Sequence, residues 1–256
     1  MIHATAIIDA DAKIGANVSI GPYSVIGAGV EIGDGCVIGP HVVIEGPTRL
    51  GTNNRVFQFV SLGADPQDKK FHGETVTLEI GNGNTIREFV TINRGTVEGG
   101  GVTRIGDNNW IMAYVHIAHD CIVGNNTIFA NCASLAGHVR VDDWAILGGF
   151  SLIHQFCQIG AHAFTSMGSV INRDVPPFVT VAGSFAEPKG INSEGLRRRG
   201  FASDKIMSIK RAFKTLYMSG LPLAEARAQI AAQSDDAEEL RLLVDFIDRS
   251  ERSLLR

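Results

Sequence analysis

A six-residue repeat limits what this chain can fold into more than any other feature. Branched aliphatic residues fall at Ile8, Ile14, Ile20, Ile26, Ile32, Ile38, Ile44, Leu50, Val56 and Leu62, without a gap. With 45% of residues apolar, chance would give such a run about 3 times in 10,000. The period resumes at Ile80, Ile86 and Ile92, and again from Ile105 to Ile171, with Thr165 the single break. Six residues are too few for a helical unit. They suit a short strand and a turn, with one aliphatic side chain directed inward per unit. Three units then make a triangular 18-residue coil in which Ile stacks on Ile about 4.8 Å apart. Small residues follow the aliphatic one, as at Gly15, Gly33, Gly51 and Gly124, and are expected to let the chain bend at each corner.

The expected fold is therefore mainly β: a parallel β-helix over residues 1–188, with loops leaving it at 64–78 and 94–101 where the period lapses. A C-terminal helical domain is expected over 189–256. Ser203 is placed to cap a helix running to Tyr217, Gly220 to end it, and two more helices are expected over 223–232 and 237–247.

Charge is unevenly placed. The net formal charge is −4, yet Lys189, Arg197, Arg198, Arg199, Lys205, Lys210, Arg211 and Lys214 crowd one short stretch. A local basic segment on an acidic chain points to a specific anionic partner rather than to nucleic acid, which calls for a broad basic face. No stretch reaches the ~18 apolar residues of an integral membrane segment, and no secretory leader is expected from the first residues. Cys36, Cys121, Cys132 and Cys157 form no CxxC and read as reduced thiols of a cytoplasmic protein.

Five of the eight histidines lie between 116 and 162. Coils of 18 residues put His119, Gly137 and Gln155 in one column, each two residues past an inward position. His138 and His154 lie one residue off it, and His116 three residues before His119. An imidazole patch of this kind suits acid–base chemistry near neutral pH. A metal site is the weaker reading, because no carboxylate or thiol completes an obvious ligand set. Asp120 can orient His119 only if the chain turns between them, since neighbours on a straight strand face opposite ways. Gln67, Asp68, Lys69 and Lys70 offer mixed polar groups on a loop. The arginines at 197–199 suit phosphate.

The runs RGTV (94–97), HIAHDC (116–121), LAGHV (135–139), IHQFC (153–157), DVPP (174–177) and NSEGLRRRGF (192–201) occur in that order. With the repeats and the helical tail they cover essentially the whole chain. In them the chain resembles the acyl-[acyl-carrier-protein]–UDP-N-acetylglucosamine O-acyltransferases, hexapeptide-repeat enzymes of the first step of lipid A biosynthesis. The resemblance implies a left-handed coil, whereas the general crossover rule alone favours the right hand. It implies a homotrimer with sites between subunits, acyl carrier protein and UDP-N-acetylglucosamine as partners, and no cofactor or metal. It further implies His119 as general base, Asp120 as its orienting carboxylate and Gly137 as oxyanion donor. His116, His138, His154 and Gln155 match ligand contacts. Gln67, Asp68 and Lys70 match the sugar-nucleotide loop, and Asn192, Glu194, Arg198 and Arg199 the nucleotide contacts.

Two positions depart from the family pattern. Asn93 stands where a His often precedes RGTV. Met167 stands at the acyl-length position that is Gly in members taking a myristoyl-sized chain, which implies a decanoyl- to lauroyl-sized donor; the plainer reading of Met167 is core filler. Three rival functions are a sibling acyltransferase on another amino sugar or with coenzyme A, a metal-dependent hydratase on the same coil, and a non-catalytic scaffold.

Overall fold

The computed structural model describes residues 1–234 and 237–256. Short strands, mostly of two residues, wind into three sheets that are parallel except for the last strand of the third. The first face runs from Ile7–Ile8 to Val170–Ile171, the second from Lys13–Ile14 to Gln158–Ile159, and the third from Ser19–Ile20 to Ala186–Ile191. Successive strands on one face pair in parallel, as Ile8 with Ile26 and Ile117 with Leu135. The chain is a left-handed parallel β-helix with a short helical region at its C-terminal end.

The inward column is the predicted one. Ile20, Ile26, Ile32, Ile38, Ile44, Leu50, Val56 and Leu62 are all at most 3% exposed. Each such side chain removed from water contributes about 1.5–3 kcal/mol. Thr165, the break in the period, is fully buried too, and its hydroxyl bonds Ser151 Oγ at 2.6 Å. A polar pair thus replaces one aliphatic without leaving either oxygen unmatched. A second interior column is polar: Asn54 Oδ1 accepts from the amide of Asn84, Asn84 Oδ1 from the amide of Asn109, and Asn109 Oδ1 from the amide of Thr127.

The glycines after the aliphatic residues serve a different purpose from the one expected. Gly33 has no positive φ. A Cβ there would lie 2.7 Å from the backbone carbon of Gly51 on the next coil. These glycines allow backbone to lie on backbone, and the corners turn instead at left-handed residues such as Asn17, Asn53, Asn108 and Asn126.

Both loops leave the coil as expected, with shifted edges. Pairing jumps from 18 residues to 30 between Leu62 and Ile92, and to 25 between Ile92 and Ile117. Strands nonetheless hold Ala64 and begin again at Thr77, because Val76 and Leu78 are buried. Asn93 is buried and fastens the loop base, its Nδ2 donating to Asp65 O at 2.7 Å. The Arg94 guanidinium, also buried, binds Gly63 O and the Asp65 carboxylate beside it.

An antiparallel hairpin, Val179–Gly183 with Ala186–Ile191, carries the third face past residue 189 before the helices start. Helix α1 spans Ser193–Arg198, α2 Ser203–Met218, α3 Leu223–Ala231 and α4 Glu238–Arg249. The sequence reading missed α1, which is under two turns long. Ser203 caps nothing: Ala202 occupies the cap position without a side-chain bond. Ala212, Leu216, Ala226, Ile230, Leu240 and Leu243 form the helices' own small core. The chain then returns to the coil, where Leu255 joins the main core and donates its amide to Asp174 O at 2.8 Å. Among the described residues no helix is long and apolar enough to cross a membrane.

Candidate active site

Inward-facing Ile117 and Cys121 pin the chain on either side of the corner between the first and second faces. Asp120 has a φ of 61°, and this left-handed turn swings its carboxylate to the side on which His119 stands. His119 Nδ1 lies 2.7 Å from Asp120 Oδ2. The second loop completes the arrangement: Asp120 Oδ1 accepts from the Thr96 amide and Oδ2 from the Thr96 hydroxyl, each at 2.7 Å. Thr103 Oγ1 accepts from the Asp120 amide at 2.8 Å. Both oxygens of the buried Asp120 carboxylate thus accept hydrogen bonds, and an ionised carboxylate can only accept. That assigns the proton to His119 Nδ1 and leaves Nε2 with a free lone pair.

Gly137 lies on the next coil, directly over this ring. A Cβ there would be 2.6 Å from His119 Cε1 and 2.9 Å from Nε2. Among the described residues its N–H meets no acceptor. His138 follows with a φ of 62°. Its ring stands edge-on to His119 at 5.1 Å and stacks on Phe156 at 4.4 Å. Burial lowers the His138 pKa, and nearby Asp120 opposes that shift. His116 bonds Thr91 Oγ1 through Nδ1 at 2.8 Å. Burial and then the His119 charge lower its pKa too. His154 and Gln155 are exposed on the following coil.

The first loop reaches the same corner. Lys70 Nζ pairs with Glu98 at 2.9 Å, and the Asp68 and Glu98 charges both act on His138. Gln67 is exposed there. An apolar pocket of about 360 Å³ opens beside the histidines on the first face, lined by His116, Ser134, Leu152, Val170 and Phe185. Met167 is 78% exposed at the corner between the third and first faces, so the core-filler reading fails.

The second group stands elsewhere. Asn192, Glu194, Arg198 and Arg199 line a cavity of about 680 Å³ against Ile146 and Phe164 on the third face. Asn192 caps α1, accepting from the Gly195 amide, and its Nδ2 donates to His162 O. Glu194 pairs with Arg197 and Arg198. Arg199 bonds His162 Nδ1 at 3.1 Å and lies over the Trp144 ring. A single chain thus brings His116, His119, Asp120, Gly137 and His138 together with the two loops, and holds the α1 group on another face.

The expectation that no carboxylate joins the histidines needs correction. His119, Asp120 and His138 offer ligand atoms all within 4.8 Å of one another, because the left-handed corner turns Asp120 outward beside its neighbour. Asp120 Oδ2, however, already receives His119 and Thr96. The buried thiols offer no nucleophile at neutral pH, since burial pushes Cys121 up to about 12 and Cys157 to about 11. Thr96 and Thr103 escaped the sequence reading; the only signal for Thr96 was its place inside RGTV.

This combination of coil, corner and tail has known counterparts. A curated acyl-[acyl-carrier-protein]–UDP-N-acetylglucosamine O-acyltransferase of Halorhodospira halophila is 58% identical over 255 residues, spanning 100% of this chain and 99% of its own. The chain belongs to that family. Its namesake from Janthinobacterium sp. is 57% identical, again over 100% of this chain and 99% of its own. The crystal structure of the Francisella novicida UDP-N-acetylglucosamine acyltransferase superposes with a TM-score of 0.98 at 42% identity, covering 100% of this chain and 94% of that one. Residues 174–255 match the family described as Udp N-acetylglucosamine O-acyltransferase, Domain 2, and residues 11–46 and 102–137 match the bacterial transferase hexapeptide.

Proposed function

We propose that this O-acyltransferase moves an (R)-3-hydroxyacyl group from acyl carrier protein to the 3-hydroxyl of UDP-N-acetylglucosamine, the first step of lipid A biosynthesis. The observation that supports the reading is the stacking of Gly137 on the His119 ring, which puts an oriented imidazole beside a residue whose amide is unused among the described residues. His119 Nε2 takes the proton of the attacking hydroxyl, a contribution of about 10²–10⁴-fold. Asp120 holds the tautomer and stabilises the imidazolium. The Gly137 N–H donates to the tetrahedral oxyanion, worth about 10²–10³-fold. A thioester is already activated, so the carrier-protein sulfur leaves directly as the tetrahedral adduct collapses, taking back the proton from the His119 imidazolium, and no covalent enzyme intermediate is needed.

His116, His138, His154 and Gln155 would contact the substrates, and Gln67, Asp68 and Lys70 the sugar end of the acceptor. Asn192, Glu194, Arg198 and Arg199 would reach the nucleotide from a neighbouring subunit. Their separation from His119 within one chain supports a homotrimer with sites between subunits. The free cysteines support a cytoplasmic setting. Met167 would close the acyl groove early and favour decanoyl- to lauroyl-sized donors, at about 1–3 kcal/mol per misfitting methylene.

The test measures transfer to UDP-N-acetylglucosamine from carrier-protein donors of graded length, for the unaltered chain and for His119→Ala. Turnover confined to the shorter donors and nearly abolished in the variant is expected. Substantial residual turnover in the variant refutes the base, and a preference for 3-hydroxymyristoyl donor refutes the Met167 reading. Stoichiometric zinc or iron in the purified protein would favour the hydratase.

A further inference from the structure

On the opposite side of the His138 corner from the apolar pocket lies a cavity of about 500 Å³, lined by His138, Arg140, Arg249, Glu251 and Arg252. The last three residues belong to the end of α4 and the returning C-terminal segment. That segment is firmly held. Arg249 Nε donates to Gln158 Oε1 at 3.2 Å, Ser250 Oγ donates to Asp174 Oδ2 at 2.6 Å, and the Asp174 amide donates to Ser253 O. The Arg249 guanidinium is therefore pre-positioned, and the backbone that carries Arg252 is fixed.

Their charge is incompletely matched. Arg140 and Arg249 share one carboxylate, Asp142. Glu251 forms no ion pair among the described residues. Asp174, buried beneath Arg252, feels its charge, but its oxygens accept from Ser250 and the Gln158 amide. Arg252 meets no carboxylate within ion-pair distance among the described residues. Its Nη1 lies 3.2 Å from His154 Nδ1, a ring neighbour of the reacting column. Planar guanidiniums held this way suit the oxygens of a phosphate ester.

The order of these features matches the order of parts along the donor. An acyl carrier protein holds its thioester on a phosphopantetheine arm, so hydrocarbon, thioester carbon, amide chain and phosphodiester follow one another. Here an apolar pocket, the His119–Gly137 column and a guanidinium cavity follow one another across a single corner. We propose that the cavity formed by Arg140, Arg249 and Arg252 binds the phosphodiester of the donor's arm, with Arg252 the main contact. This rests on the acyl transfer proposed above. The other anion in that reaction is the acceptor's pyrophosphate, and the test separates the two.

Steady-state kinetics would compare 3-hydroxyacyl-phosphopantetheine with 3-hydroxyacyl-pantetheine, which lacks the phosphate, for the unaltered chain, Arg252→Ala and Arg252→Lys. Arg252→Ala should raise KM for the phosphorylated donor about tenfold and leave KM for the unphosphorylated donor and for UDP-N-acetylglucosamine unchanged. Arg252→Lys should recover part of the loss. Arg140→Ala, altering a half-exposed side chain on the coil, should repeat the donor-selective effect more weakly without touching the C-terminal segment. Equal changes for both donors, or a rise in KM confined to UDP-N-acetylglucosamine, would overturn the assignment. Failure of the unaltered chain to transfer acyl groups at all would overturn the functional reading and this site with it.

Discussion

Replacing Gly137 by Ala tests the geometry of the reacting column directly. The backbone of Gly137 has no positive φ, so alanine is conformationally acceptable, and the N–H that would meet the oxyanion is kept. Only one thing changes: a methyl appears 2.6 Å from His119 Cε1, 2.9 Å from Nε2 and 3.2 Å from Nδ1. Ordinary contact begins near 3.4 Å, so the imidazole must retreat by about 1 Å. It cannot do so freely, because Asp120 holds Nδ1 at 2.7 Å and Thr96 holds Asp120. A displacement of about 1 Å at a reacting group costs on the order of 10²-fold in rate, equivalent to about 2.7 kcal/mol of barrier. The assay is acyl transfer at saturating substrates, beside calorimetric melting of the same preparations. Gly149→Ala is the control, since its nearest neighbour is Asn131 O at 3.3 Å and it lies off the column. We expect kcat to fall about 100-fold in Gly137→Ala, with melting close to that of the control. A kcat within about threefold of the unaltered chain, with the fold intact, would refute the stacked arrangement.

Gly99→Ala should act on the same dyad from a distance. A Cβ there would lie 2.1 Å from the Asp120 carboxyl carbon, so kcat should fall at least tenfold although the loop touches no reacting atom; unchanged kcat would detach Asp120 from catalysis. His162 carries a pH dependence of stability. Burial, and then the Arg199 charge, depress its pKa to about 4, below its unfolded value near 6.5. Its stabilising contribution is then whole above pH 6.5 and is lost as pH falls toward 4, by about 3 kcal/mol. Denaturant unfolding across that window should show the decline in the unaltered chain and a shallower one in His162→Phe, whose ring can still stack with Trp144 and Phe178; parallel curves would refute the assignment.

The coil was legible because one inward side chain recurs every six residues, and burial of branched aliphatics is the strongest signal a sequence carries. Thr165 shows the limit of that signal: hydropathy cannot register a hydroxyl satisfied by Ser151 on the neighbouring rung. The glycines were located but misread, since close packing between rungs and corner bending both select small residues. Around His119 the column followed from arithmetic alone. The support of Asp120 by Thr96 did not, because a loop that leaves the coil for eight residues returns to a place no periodicity encodes. Asn93 is similar: in sequence it was only a departure from a family His, and its burial against the Asp65 carbonyl shows that it ties down the loop base.

The interior ladder of Asn54, Asn84, Asn109 and Thr127 answers a difficulty built into any repetitive coil. Aliphatic columns are nearly self-similar, so sliding one stretch of chain by a full turn against its neighbours would cost little in apolar contact. Four polar residues in adjoining turns cannot slide in that way. Above them the column continues as Ala145, and below them as Cys36. A shifted ladder would bury an amide against a methyl or a thiol, at about 1–3 kcal/mol for each unmatched group. These amides break a translational degeneracy that the hydrophobic residues leave open, and so select which turn lies on which.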